Sequence, residues 1–210
     1  CYCECKLGEE SKYLEVEHFL NKSKYPLLVV HWENLMPSCK RCNGRKGDLD
    51  VEAIPIIFPR EDRPNLHLNL NVYFPKTGGC MSFLSGKEES NKGSNAVVEI
   101  GLNDDRVTSA RDERIAGLER EIRELWMIAI RITDGSVRDQ EREIFSEKLD
   151  ACLKYCLPKE QYGGSCGSFL LANPVFNQVK DVAQSFGLWS DKHAKIIGRI
   201  RRHQLACTIV

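Results

Sequence analysis

The hydrophobic pattern changes period about halfway along the chain. Between Ala110 and Thr133, apolar residues fall at Ile115, Leu118, Ile122, Leu125, Trp126, Ala129 and Ile130, with charges between them. Steps of three and four put them on one stripe, which predicts a single long amphipathic helix. Further helices are predicted over 137–156, 174–186 and 190–205. Asn173 before Pro174, and Ser190 before Asp191, suit helix starts. Gly135 and Gly187 suit the breaks between helices. The first half is different. Residues 12–20 (KYLEVEHFL) alternate and predict a strand running into a loop. Residues 21–26 read as a turn, Leu27–Val30 as a short apolar run, and residues 32–37 bring the chain back. Cys39–Gly47 reads as a knuckle that opens a helix. Within the Pro-, Gly-, Asn- and Ser-rich stretch 51–110, residues 66–74 and 96–102 alternate as strands, and 85–94 reads as an exposed loop. No internal repeat is visible.

Composition narrows the class. Of 210 residues, 42% are hydrophobic and 29% charged, which excludes a disordered chain. Thirty Lys and Arg balance thirty Asp and Glu, so no whole-molecule field draws the protein to nucleic acid, and any such contact must come from local basic patches. No apolar run reaches the roughly 18 residues that would span a bilayer, so no membrane role is expected. The chain begins at Cys1 without Met, which reads as a start trimmed inside a motif.

The ten cysteines are placed unevenly. Cys1, Cys3 and Cys5 cluster at the start and Cys39 and Cys42 form a C-x-x-C, while Cys80, Cys152, Cys156, Cys166 and Cys207 are scattered and read as buried or incidental thiols. Two close clusters brought together by folding are the pattern of a structural zinc site, not of a disulfide scaffold. A reducing, cytoplasmic setting follows as the expectation.

Four elements occur in order at tight spacing: Glu17-His18, Asn34-Leu35, Cys39-x-x-Cys42-Asn43 and Lys46-Gly47. Together they resemble the HNH endonuclease motif over residues 1 to about 50. That resemblance implies a ββα-metal fold that holds one divalent cation over a scissile phosphate. Phosphodiester hydrolysis needs a nucleophilic water, neutralised phosphoryl oxygens and a stabilised leaving oxygen, and a metal ion answers the last two needs. Imidazole suits removal of the water's proton near neutral pH, which makes His18 the candidate general base. By resemblance, Glu17 and Asn43 hold the catalytic Mg²⁺ or Mn²⁺, and Asn34 pins the loop between the two strands. Many HNH proteins carry His where this chain has Asn43, and an amide oxygen favours a hard cation. The expected zinc ligands are Cys3, Cys39 and Cys42, with Cys1 as the fourth. Cys5, or a cysteine one residue before Cys1, are the alternatives. Lys22, Lys24, Lys40, Arg41, Arg45 and Lys46 crowd the same segment and are candidate phosphate contacts. Lys46, one helical turn from Asn43, leads them.

The longer string is similar to the HNH proteins of the PtuB family, which accompany bacterial Septu and retron anti-phage systems. It comprises Glu15–Leu20, Lys22–Pro26, Trp32–Leu35, Pro37–Cys39 and Asn43–Asp48, with Gly101-Leu-Asn103 and Arg111 as a short downstream match. The resemblance implies an effector that works beside an ABC/SMC-type ATPase (PtuA-like) in a hetero-oligomer. In a retron setting, a reverse transcriptase and its msDNA would be further partners. No P-loop occurs in the chain, so ATP chemistry would belong to another protein. Arg199, Arg201, Arg202 and His203 form a basic stripe suited to nucleic acid or to an acidic partner.

The expected fold class is α+β: a zinc-stapled HNH head over 1–60, then a mixed and mainly helical lobe over 61–210 used for docking. The expected function is hydrolysis of nucleic acid, DNA ahead of tRNA. A zinc-stapled nucleic-acid-binding adaptor with an inactive site, and a stand-alone restriction-type endonuclease, are the competing readings.

Overall fold

The computed structural model describes residues 1–6, 14–136 and 139–210. It is an α+β fold with two small sheets and a mostly helical second half. The first sheet is an antiparallel pair of β1 (Leu14–His18) and β2 (Leu35–Cys39), in register from Leu14 opposite Cys39 to His18 opposite Leu35. Helix α1 (Lys40–Lys46) follows β2 without a loop and ends at Gly47, whose φ of +48° a residue with a side chain would resist.

The second sheet is built from distant parts of the chain. Strand β3 (Leu68–Tyr73) lies between β4 (Met81–Gly86), antiparallel to it, and the C-terminal β5 (Ala206–Ile209), parallel to it. Neither β4 nor β5 was predicted. The last predicted helix ran to 205, whereas α7 (Asp191–Arg201) stops earlier and the chain turns into the sheet. Four residues at a sheet edge give too short a window for a period-2 signal.

The predicted strand at 96–102 is corrected. Residues Asn91–Glu99 form helix α2, with Gly93, Ala96 and Ile100 buried at helical spacing, and the expected loop at 85–94 is split between β4 and this helix. The helix can lie against the sheet because Gly93 has no side chain: a Cβ there would sit 1.9 Å from the His67 carbonyl oxygen. Gly93→Ala is therefore expected to cost roughly 1–3 kcal/mol through overpacking, read as a lower denaturant midpoint at unchanged slope.

The long helix appears as α3 (Asp105–Thr133). Its buried residues Val107, Arg111, Ile115, Leu118, Ile122, Leu125, Ala129 and Ile132 recur in steps of three and four. They face α4 (Asp139–Tyr155), α5 (Gly163–Ala172) and α6 (Pro174–Ser185). Asn173 caps α6, its Oδ1 accepting from Val175 N at 2.9 Å and Phe176 N at 3.1 Å. At the start of α7, His193 Nδ1 accepts from Ser190 N at 3.0 Å. Gly135 and Gly187 have φ of +76° and +70°, the left-handed geometry of a helix stop. Residues 12–13 of the first predicted strand and 137–138 of the second predicted helix lie outside the described residues.

Helix α5 was missed because it is apolar on every side and carries no amphipathic period. It is the hub of the lobe. Gly163 and Gly167 let it approach the Leu157 carbonyl and Ile200 to distances that a Cβ would close to 2.0 and 2.6 Å. Its Ser168 Oγ donates to Gly164 O and accepts from Leu205 N at 2.8 Å, tying β5 down.

The charged residue Arg111 is almost fully buried, at 1% exposure. Its guanidinium donates to Ser82 Oγ at 2.9 Å, Ser82 O at 3.1 Å, Leu102 O at 3.2 Å and Asn103 Oδ1 at 3.2 Å. Asn103 in turn exchanges hydrogen bonds with Leu84 N and O, so the network locks α3 to β4. Arg111→Leu would strand these buried acceptors and is expected to destabilise the fold by about 3 kcal/mol, measurable by chemical denaturation.

Candidate functional site

The strand β1 presents its polar side chains inward. Leu14 and Val16 are 61% and 60% exposed, whereas Glu17 is 1% exposed. Apolar-in, polar-out alternation would bury the valine. The inversion has a physical reason: α1 packs on this face and carries polar partners. Asn43 Nδ2 donates to Glu15 Oε2 at 2.7 Å. Lys46 Nζ donates to the His18 carbonyl at 2.7 Å and stands 2.7 Å from Glu17 Oε1, out of line for a hydrogen bond. Glu17 is thus a buried carboxylate with an oxygen short of donors. Burial pushes its carboxyl above the ordinary carboxylate range, while Lys46 pulls it back. Tyr2 lies beside it, its phenol pushed up by burial and by the Glu17 charge.

The His18 ring is held from behind. Its Nε2 lies 2.9 Å from the carbonyl oxygen of Val29. A carbonyl can only accept, so Nε2 carries a hydrogen, and in the neutral ring the lone pair is on Nδ1. The loop that supplies Val29 is pinned by Asn34, whose Oδ1 accepts from Leu20 N at 2.7 Å and whose Nδ2 donates to Leu20 O at 3.0 Å and Leu28 O at 3.2 Å. Glu17, His18 and Asn43 line one cleft together with Val16, Asn21, Lys22, Gly47 and Asp48. Because the Asn43 amide nitrogen is taken up by Glu15, its oxygen is the donor atom left for a cation. A carboxylate and an amide oxygen are donors that fit a hard divalent ion, and the imidazole beside them stays free to act as a base.

At the other end of the hairpin, the sulfurs of Cys3, Cys39 and Cys42 lie within 4.8 Å of one another, and all three residues are buried. Cys39 is the residue before α1, and its Sγ accepts from Cys42 N at 3.5 Å, so the C-x-x-C turn is preformed. Hydrogen bonds from Cys3, Cys42 and Cys5 hold the Cys39 thiol below its ordinary range, while those to Cys3 and Cys39 push Cys42 up. The Cys3 thiol is lowered as well, to about 7, and the thiolate is the form that binds a metal. The donor set fits a metal such as zinc.

Cys1, expected as the fourth ligand, is exposed and outside this group, and its amino group donates to Pro37 O at 2.9 Å. Cys5 is also outside the group, although its thiol interacts with those of Cys3 and Cys39.

The expected phosphate contacts also change. Lys46 is buried at 3% exposure and points at Glu17, not outward. Arg41 donates to Gly101 O at 2.9 Å and pairs with Asp104, which Arg45 approaches at 3.5 Å. Lys24 is paired with Asp50 at 2.7 Å and Glu52 at 3.1 Å. These side chains brace the hairpin against its surroundings. Lys22, exposed on the rim of the cleft, keeps the expected placement. Sequence reasoning missed Glu15, which orients Asn43, and the Val29 carbonyl, which orients His18. Glu15 carries a usable signal, two residues before Glu17 on the same strand face, whereas a backbone carbonyl leaves none.

Two relatives carry informative names. The chain is 37% identical over 211 residues to the Septu protein PtuB of Bacillus thuringiensis, spanning 97% of this chain and 76% of that protein. It is 28% identical over 140 residues to the Septu protein PtuB of Bacillus mycoides strain KBAB4, spanning 52% of this chain and 44% of that protein. No protein-family model matches the chain, and no solved structure matches it.

Proposed function

The chain belongs to the Septu PtuB family, and we propose that it acts in anti-phage defence as a metal-dependent nuclease of the HNH type, hydrolysing nucleic acid, DNA foremost. The observation that carries this reading is the His18 ring, fixed through Nε2 to Val29 O at 2.9 Å and lining the cleft with Glu17 and Asn43. A base must be oriented and must keep a lone pair for the proton it takes. This arrangement supplies both.

Nδ1 of His18 takes the proton of the attacking water, and the Val29 carbonyl stabilises the imidazolium that results. Asn34 acts through the loop as a positioning residue. Glu17 and the Asn43 amide oxygen would hold Mg²⁺ or Mn²⁺, which when bound neutralises phosphoryl charge and stabilises the leaving oxygen. Lys46, 2.7 Å from Glu17 Oε1, offsets part of the cost of burying that carboxylate. Cys3, Cys39 and Cys42, with Cys5 as fourth, would hold zinc as a staple for a head too small to be stabilised by an apolar core alone.

A PtuA-like ABC/SMC-type ATPase is the proposed partner, in the cytoplasm. Co-purification of the full-length chain with that ATPase tests it.

One observation favours the adaptor reading: the Lys46 ammonium already compensates Glu17, as it would in a site that takes no metal. The discriminating experiment incubates the full chain, alone and with its ATPase partner, with plasmid, oligonucleotide and tRNA in Mg²⁺ or Mn²⁺. Cleavage that needs the cation supports the nuclease. Tight binding without cleavage under every condition supports the adaptor.

A further inference from the structure

We infer that an exposed basic ridge on α7 is a track for a nucleic-acid backbone, placing a phosphate-binding surface on the helical lobe as well as at the head; this rests on the nucleic-acid reading above.

Lys192, Lys195, Arg199 and Arg202 are all exposed. They recur at i, i+3, i+7 and i+10, which puts them within one narrow face of the helix. Helical backbone continues through Arg202, at φ −65° and ψ −23°. At 1.5 Å per residue the four cations extend over about 15 Å. Lys192 is tied to Asp150. Among the described residues no carboxylate pairs with Lys195, Arg199 or Arg202. In the head, Lys24, Arg41, Arg45 and Lys46 have acidic partners, while Lys22 and Lys40 are exposed. The three cations of α7 stand in a row on one helix face, the arrangement a phosphate backbone follows.

The ridge lacks what a protein interface needs. The apolar residues of α7, Ile196, Ile197 and Ile200, are turned inward and buried. Beside the ridge stand Ala194 and Gly198, and a Cβ added at Gly198 would meet nothing within 4 Å. A stable protein contact has an apolar core, whereas phosphate backbones are held by cations and require none. The ridge ends against the head: His203, one residue beyond it, shares a cavity with Cys1, Tyr2, Cys3 and Glu4.

The test is a charge reversal of Lys195→Glu, Arg199→Glu and Arg202→Glu combined in the full-length chain. Its control carries the same change in net charge at the exposed Lys76, Lys154 and Lys159. Binding of a fluorescein-labelled duplex, and of its single strand, is followed by anisotropy over a salt series, with Ca²⁺ replacing Mg²⁺ to hold off cleavage. Zinc content and melting temperature report the fold. The ridge variant is expected to lose on the order of tenfold in affinity and to flatten the log–log salt dependence by about two to three, while the control retains both. Equal losses in ridge and control variants, or none in either, would overturn the inference. Loss of binding to the ATPase but not to nucleic acid would overturn it too, assigning the ridge to an acidic protein surface. Hydrolysis of bis(p-nitrophenyl) phosphate, too small to reach α7, separates the two claims. A wild type that binds DNA through the ridge yet never hydrolyses the ester sinks the nuclease and keeps the ridge. A ridge variant that binds and cleaves DNA like the wild type sinks the ridge and keeps the nuclease.

Discussion

Replacing His18 by alanine is expected to lower metal-dependent cleavage by about 10²–10⁴-fold, the range supplied by a positioned general base, with the fold intact. His18 is half-buried and its ring makes one hydrogen bond, to Val29 O, so its loss removes little packing. A single-turnover cleavage assay in Mg²⁺, alongside zinc content and a thermal melt, checks this. His31→Ala is the control: that ring is exposed and pairs with Glu33 at 3.1 Å, so cleavage should be unaffected. Cleavage by His18→Ala at the wild-type rate would remove His18 from the mechanism. Asn34→Ala should produce an intermediate loss, because its three hydrogen bonds hold the loop that carries Val29. Its loss should include a drop in melting temperature that His18→Ala does not share. That difference separates a positioning residue from the base it positions.

Much of the head was legible in the sequence, because its features are local. The strand at β1 and the helix opening at the C-x-x-C follow from residues a few positions apart, and the Asn34 loop from contacts reaching back to Leu20 and Leu28. Side-chain direction was less legible. Lys46 was placed on the phosphate side because it lies a turn beyond Asn43, yet it turns to the buried Glu17. A buried carboxylate demands a partner, and the nearest long cation on α1 meets the need. Arg41 and Arg45 were taken by Asp104, about sixty positions away in sequence, which no motif signals.

The same distance effect limited the lobe. Amphipathic helices α3, α4, α6 and α7 announce themselves by period, whereas α5 is buried on every side and its glycines read as loop. The strand β5 gains its partner only when residue 206 meets residue 69. Helix α2 was misread because AVVEIGL supports either period. The close approach permitted by Gly93 decided it, and that contact is tertiary.

Loss of the metal at the cysteine cluster is expected to be the largest single effect on stability. Cys39→Ser should abolish zinc binding and unfold the hairpin together with α1. Structural zinc in small peptides is worth about 10–16 kcal/mol near neutral pH, comparable to the whole margin of about 5–15 kcal/mol by which a domain is stable. Cys39 has three roles at once: it pairs with Leu14 across the sheet, precedes α1, and receives Cys42 N and the neighbouring thiols. Cleavage should vanish with the fold, since Asn43 sits on the helix that the cluster anchors. Full-length protein should carry about one zinc per chain by elemental analysis. The ligand set is separated by two further variants. Cys1→Ser should keep its zinc, because Cys1 is exposed and engages Pro37 through its backbone. Cys5→Ser should lose or weaken it, because its thiol stands beside Cys3 and Cys39. Active wild-type protein that contains no zinc would end the staple assignment. Zinc retained in Cys5→Ser but lost in Cys1→Ser would return the fourth position to Cys1.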